Sequence, residues 1–253
     1  MSQASATQVS NQAFDNPATS DTATATTSKY ASGEFFEFLW RTAGVQAVGL
    51  FIVAYLMYGY QPGVGASSQE LVAFYTGHST RILIGAIFGG LTVLNLMWFA
   101  AALRTALADE GRDGWGAAAT AASAAFGGMF LLLITISSGL AFSIAGSGNQ
   151  ALISGLNDFS WALVVLSSFP RAMLIMSGAF GFWRAGLISN GVFAIGVAAV
   201  VLGVLGGMTW MSSGFFAPDG AFTRFVQPLI LIIWVFAVTA VLLKRSPSKG
   251  AGW

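Results

Sequence analysis

Six stretches of roughly twenty or more residues with almost no charge recur along the chain, and nothing else in the sequence restricts its fold as much. They lie near 39–60, 81–103, 117–145, 160–183, 187–211 and 224–243. A hydrocarbon core about 30 Å thick takes about 20 mainly apolar residues of helix to cross. In that medium only helices and closed barrels satisfy every backbone N–H and C=O. The connections carry chain breakers: "YQPGVGASS" after the first stretch, "DEGRDGWG" after the second, "GSGNQ" after the third and "APDG" after the fifth. Only "RAG" separates the fourth from the fifth, which predicts an antiparallel hairpin. The expected fold is an all-α integral membrane protein, a six-helix transmembrane bundle over residues 35–245. A disordered cytoplasmic N-terminal tail (1–34) and a short cytoplasmic C-terminal tail (246–253) complete the expected organisation.

Composition agrees. The chain is 55% hydrophobic and 8% charged, against about 25% charged in an ordinary soluble domain. A formal net charge of +1 gives no basic stripe, so nucleic acid is not an expected partner. The lack of cysteine excludes disulfides, thiolate metal sites and cysteine nucleophiles. Residues 1–28 hold no Lys, no Arg and no apolar run, unlike a signal peptide.

Lys29, Arg41, Arg104, Arg112, Arg184, Lys244, Arg245 and Lys249 fall on one side of the expected bundle, and only Arg81 and Arg224 on the other. Short loops rich in Lys and Arg stay in the cytoplasm, so both termini are expected there. Trp40, Trp98, Trp115 and Trp183 near the inner ends, and Tyr58, Tyr60, Tyr75, Trp161 and Trp210 near the outer ones, match the aromatic belts of a bilayer. Gly85 and Gly89, and Gly203 and Gly207, are each four apart and share a helix face where another helix can approach closely. The run "GAAATAASAAFGG" that opens the third stretch is expected inside the bundle.

One residue breaks the apolar pattern. Arg171, in "SSFPRAMLI", lies thirteen residues from Asp158 and thirteen from Arg184, roughly 20 Å from each. A central Arg costs about 3 kcal/mol on insertion, so it is expected to face the bundle interior or a wet cavity. No Asp or Glu is expected at its depth. Its donors must then meet neutral acceptors or an anion from outside. Pro170 frees the carbonyl of Leu166 and kinks the helix. Ser167, Ser168, Asn95, Thr135, Ser137 and Ser138 fall at compatible depths. Two readings stand side by side: an arginine tied to carbonyls and hydroxyls, or a pocket for a small anion or lipid headgroup built from Arg171, Pro170, Asn95, Thr135, Ser138 and Ser167. At the outer rim, His78, Arg81 and Asp158 form a second candidate group, with Glu70, Asp219 and Arg224 as neighbours. A lone imidazole cannot make a metal site, so no metal is expected.

H-E-x-x-H, Walker A and G-x-S-x-G are all missing, which removes zinc peptidase, NTPase and nucleophile-elbow readings. "DGWGA" (113–117) starts like a CDP-alcohol phosphatidyltransferase motif but lacks its Arg and its later aspartates. No cofactor and no catalytic residue is expected, and a membrane enzyme is the weakest of three readings, since acid–base work needs positioned titratable groups and the group at depth is an arginine. "FWRAGLIS" (182–189) resembles the aromatic-x-Arg-x-Gly-Leu-Ile-Pro turn of a broad group of small multi-pass bacterial membrane proteins, with Ser189 in place of Pro. "GAIFGGLTVLNLMWFAAALRTAL" (85–107) is similar to their second span. The resemblance implies a bacterial plasma membrane and six spans. The expected function is binding or passing a small anionic or amphipathic ligand around Arg171. The alternative is a partner subunit that docks another membrane protein through its glycine faces.

Overall fold

The computed structural model describes residues 38–244, so both expected tails lie outside the described residues. Among the described residues every regular element is helical. The helices are α1 (Ala43–Tyr58), α2 (Ser68–Gly77), α3 (Ser79–Ala108), α4 (Asp113–Phe142), α5 (Gln150–Leu166), α6 (Ser168–Arg184), α7 (Asn190–Gly206) and α8 (Gln227–Lys244). A 3-10 turn, Ile144–Ser147, precedes α5, and a π turn, Phe222–Val226, leads into α8.

Four helical stretches are long and apolar enough to cross a membrane: Ser79–Ala108, Asp113–Phe142, Gln150–Arg184 and Phe222–Lys244. The third is α5 and α6 run together. Two apolar helices, α1 and α7, are shorter, at 16 and 17 residues. Each of the six apolar stretches thus contains a helix, but the fourth starts ten residues earlier than 160, at Gln150, where the Asn149 side chain accepts from the Leu152 N–H. One helix, α2, was not foreseen. Its signal is the capping pair Ser67 and Glu70, in which the Ser67 hydroxyl accepts from the Glu70 N–H.

Helix ends follow local chemistry. Gly111 and Gly186 have φ of +68° and +71°, and each closes its helix in a Schellman arrangement. There Arg112 N–H donates to Leu107 O at 2.8 Å, and Leu187 N–H to Phe182 O at 2.9 Å. Ser189, the departure from the resembled turn, caps α7 by accepting from the Val192 N–H.

The helix α3 is the spine: α1 and α4 pack along it, α6 packs on α4 and α7, and α8 touches α1 and α7. The main core joins Phe99, Leu103 and Leu107 of α3 to Leu174, Ile175 and Phe182 of α6 and to Trp234, Val235 and Val238 of α8. A second cluster fastens α2, through Leu71 and Tyr75, to Ile82, Leu140 and Ile153. Both glycine pairs are used within the chain. A Cβ on Gly85 would stand 3.2 Å from the Ala54 carbonyl of α1, and one on Gly203 would stand 3.0 Å from Ala172 of α6. Gly89 faces Ile134 of α4, and Gly207 faces the ring of Phe169. The alanine-rich start of α4 is not fully interior. It buries Gly116, Ala119, Ala122 and Ser123 and leaves Ala117, Ala121, Ala124 and Ala125 exposed, because one face of small residues is enough to bring α3 within contact of Gly116.

Candidate functional site

The break between α5 and α6 builds the site. Pro170 has no N–H to offer the Leu166 carbonyl, and the helix is interrupted at Ser167 before resuming. The resumed turn aims Ser168 and Arg171 at the start of α8. Arg171 Nη2 donates to Ser168 Oγ at 2.8 Å, and Ser168 Oγ donates to Gln227 Oε1 at 2.8 Å. The other end of that amide, Gln227 Nε2, is buried without an acceptor and pressed against Gly206, where any side chain would collide with it. Arg171 itself is only 8% exposed. Among the described residues no Asp or Glu forms an ion pair with it, and one hydroxyl is the single acceptor for its five N–H donors.

Arg171 lines a partly open cavity of about 190 Å³ bounded by α1, α3, α4, the α5–α6 break, the π turn and the start of α8. Its floor is the small-residue strip Gly85, Ala86 and Gly89 of α3. Phe126, Phe130, Leu133 and Ile134 of α4 form one wall, and Phe51 and Ala54 of α1 the other. The rings of Phe51 and Phe130 meet across the gap with centroids 6.2 Å apart. Polar groups are few: Arg171, Arg224, Gln61, Thr223, Ser137, Ser167 and the tyrosines Tyr55 and Tyr58. No protein-family model, curated protein or solved structure matches the chain. The geometry of the cavity therefore carries the functional argument by itself.

Arg224, expected at the outer rim, is buried to the same 8% exposure and lines the same cavity. Its bonding is the opposite of that of Arg171. Arg224 Nε donates to Asp219 O at 2.6 Å and Nη2 to Gln61 O at 2.9 Å. Its guanidinium carbon also lies 4.0 Å from the Tyr60 ring centroid and 4.5 Å from that of Trp161. A buried polar network holds this end of the cavity in place. Gln61 Nε2 donates to Ser160 Oγ at 2.8 Å and Asn157 Oδ1 at 3.2 Å, Tyr75 OH donates to Asn157 Oδ1 at 3.1 Å, and Trp161 Nε1 donates to Pro62 O at 2.9 Å. Burial pushes the Tyr75 phenol well above its ordinary pKa, so it stays protonated as the donor this network needs.

The residues expected around Arg171 divide. Ser167 lines the cavity, with its hydroxyl donating to Val164 O at 2.7 Å, and Pro170 shapes the break without lining it. Asn95 and Thr135 do not reach the cavity. Each bonds a carbonyl of its own helix, Leu91 O at 2.9 Å and Leu131 O at 2.8 Å. Ser138 also misses it, and its neighbour Ser137 takes the place, with Tyr58 OH donating to Ser137 Oγ at 3.0 Å. One residue along a helix is a rotation of about 100°, so depth alone could not choose between them. The outer-rim group does not converge. His78 Nδ1 lies 3.1 Å from Phe74 O, Arg81 Nη2 donates to Leu56 O at 3.3 Å, and Asp158 Oδ1 accepts from Gly65 N–H at 3.1 Å. Among the described residues no group of three His, Asp or Glu could hold a metal ion.

Proposed function

We propose that this chain is a six-span membrane protein with cytoplasmic termini, in a bacterial plasma membrane, whose interior cavity binds a small anion through Arg171. The four long apolar helices support the membrane setting, as do the large apolar side chains turned outward along them, such as Ile87 and Leu94 on α3 and Leu229 and Ile233 on α8. In water such a surface is an aggregation hazard, whereas in lipid it is solvated. The Lys and Arg asymmetry of the loops supports the orientation.

Length arithmetic then revises the depth of the site. With Arg184 at the inner boundary, about 30 Å of helix ends near Val164, and Asp158 stands about 39 Å away, outside the hydrocarbon. Arg171, about 20 Å from the inner boundary, lies in the outer half of the bilayer and not at its centre. The network of Gln61, Tyr75 and Asn157 then forms a polar cap on the outer side.

The observation that carries the binding reading is a nearly fully buried guanidinium with most of its donors unused, opening onto a cavity. A charge in that position is costly unless something neutralises it. A dissolved anion at 100 times its Kd stabilises a protein by about 2.7 kcal/mol, so purified protein should gain several degrees in thermal unfolding when a suitable anion is added. Arg171→Leu should still fold and lose that gain. If no anion shifts the wild-type protein, the reading fails.

The partner-subunit alternative gains no support here, because the glycine faces it needs are occupied by α1, α4 and α6.

A further inference from the structure

Resting on that anion-pocket reading, we infer that the ligand is a single-headed anionic amphipath, a carboxylate or phosphate whose tail places roughly six to eight carbons in the cavity. Arg171 holds its head, and Arg224 is part of the wall that closes the outer end. The first argument is the unequal bonding of the two cations. Arg224 spends its donors on two carbonyls and its faces on two rings, so it has little left for a ligand. Arg171 donates to one hydroxyl. One head position follows, beside the α5–α6 break.

The second argument is the rest of the lining. Beyond Arg171 the cavity runs over a floor without bulk at Gly85, Ala86 and Gly89, between aromatic and aliphatic walls. A bare inorganic anion has no use for such a surface, whereas an apolar tail laid along it is removed from water. An engineered apolar cavity of about 150 Å³ holds benzene, and this one is about 190 Å³, which sets the tail length.

The third argument is access. The cavity is open to the surface on one side, and its lining residue Tyr55, on α1, is 41% exposed. A ligand arriving there comes from the bilayer side.

The test uses the full chain in a nonionic detergent, with thermal unfolding and tryptophan fluorescence as readouts. The added compounds are hexyl, heptyl and octyl phosphate, octanoate, octanol and inorganic phosphate. Affinity should rise about fourfold per methylene, as burial of each CH₂ requires, and then level off once the cavity is full. Octanol and inorganic phosphate should each act far more weakly than octyl phosphate. Ala86→Leu should move the levelling-off to shorter chains and Leu133→Ala to longer ones. These opposite shifts are not produced by a general loss of stability, and either variant suffices if the other does not fold.

Inorganic phosphate acting as well as octyl phosphate, with Arg171→Leu abolishing both, would overturn the tail and leave the anion pocket standing. Octanol acting equally well and independently of Arg171 would overturn the anionic head, and with it both the anion pocket and this inference. Protein in phosphatidylcholine nanodiscs with and without phosphatidic acid separates the sources. A response to phosphatidic acid assigns the head and tail to a bilayer lipid, and a response to the short amphipaths alone assigns them to a soluble one. No response in either arm overturns the inference.

Discussion

The two ends of this bundle are held together by different physics. Toward the Arg184 end, α3, α6 and α8 meet through Phe99, Leu103, Phe182 and Trp234, all at most 2% exposed, and Phe99 and Trp234 make an edge-to-face contact at 6.0 Å. Toward the other end, α1 and α4 stand apart across a cavity, and the hydrogen-bonded side chains Gln61, Tyr75, Asn157 and Ser160 hold the loops together. Close packing closes one end, while at the other a polar network spans the mouth of the cavity beside the smaller apolar cluster of Leu71, Ile82, Leu140 and Ile153. The difference shows how a single chain can keep a rigid base and a hollow top: the base supplies stability, so the top can leave space unfilled and a cation underbonded.

The largest loss is expected in the closed half. Trp234→Ala should cost about 3–5 kcal/mol, since it removes a fully buried ring that α3 and α6 both touch, and it should be the most damaging single truncation in thermal or denaturant unfolding. If it costs no more than Leu133→Ala on the cavity wall, the distinction between a packed base and a hollow top does not hold. A medium effect is expected at the boundary. Gly206→Ala puts a methyl group into the Gln227 amide, an overpacking event of about 1–3 kcal/mol, and it should also weaken the anion-dependent stabilisation even though Gly206 does not line the cavity. The smallest effect is expected at His78. His78→Ala should change stability by no more than about 0.5 kcal/mol and leave the anion response intact, because the exposed His78 ring lies against a backbone carbonyl and, tilted, against the ring of Phe74. A large loss there would mean that the rim is part of the site.

Much of the fold was legible because its signals are local. Apolar length marks the helices, and Gly186 followed by Ser189 marks the tight hairpin turn between α6 and α7. The helix α2 was legible in principle from Ser67 and Glu70, but it is ten residues long, and its apolar pair Leu71 and Tyr75 is too short a pattern to stand out beside the long hydrophobic stretches. The anomaly at Arg171 was visible because charge at depth is costly wherever it points. Its surroundings were not visible. Asn95, Thr135 and Ser138 have the right height along their helices but the wrong azimuth, and azimuth is settled only when helices pack. Arg224 was harder still, since Tyr60, Gln61 and Trp161 reach it from segments 63 to 164 residues away along the chain.

Gly206 and Gln227 illustrate what such packing does to the freedom of a sequence. Room for even a methyl group at position 206 requires the amide to retract, and a shorter residue at 227 deprives Ser168 of the acceptor that orients it toward the guanidinium. Variation at these two positions must therefore be concerted. A substitution behind α8, out of reach of any solute, would register as altered recognition at Arg171.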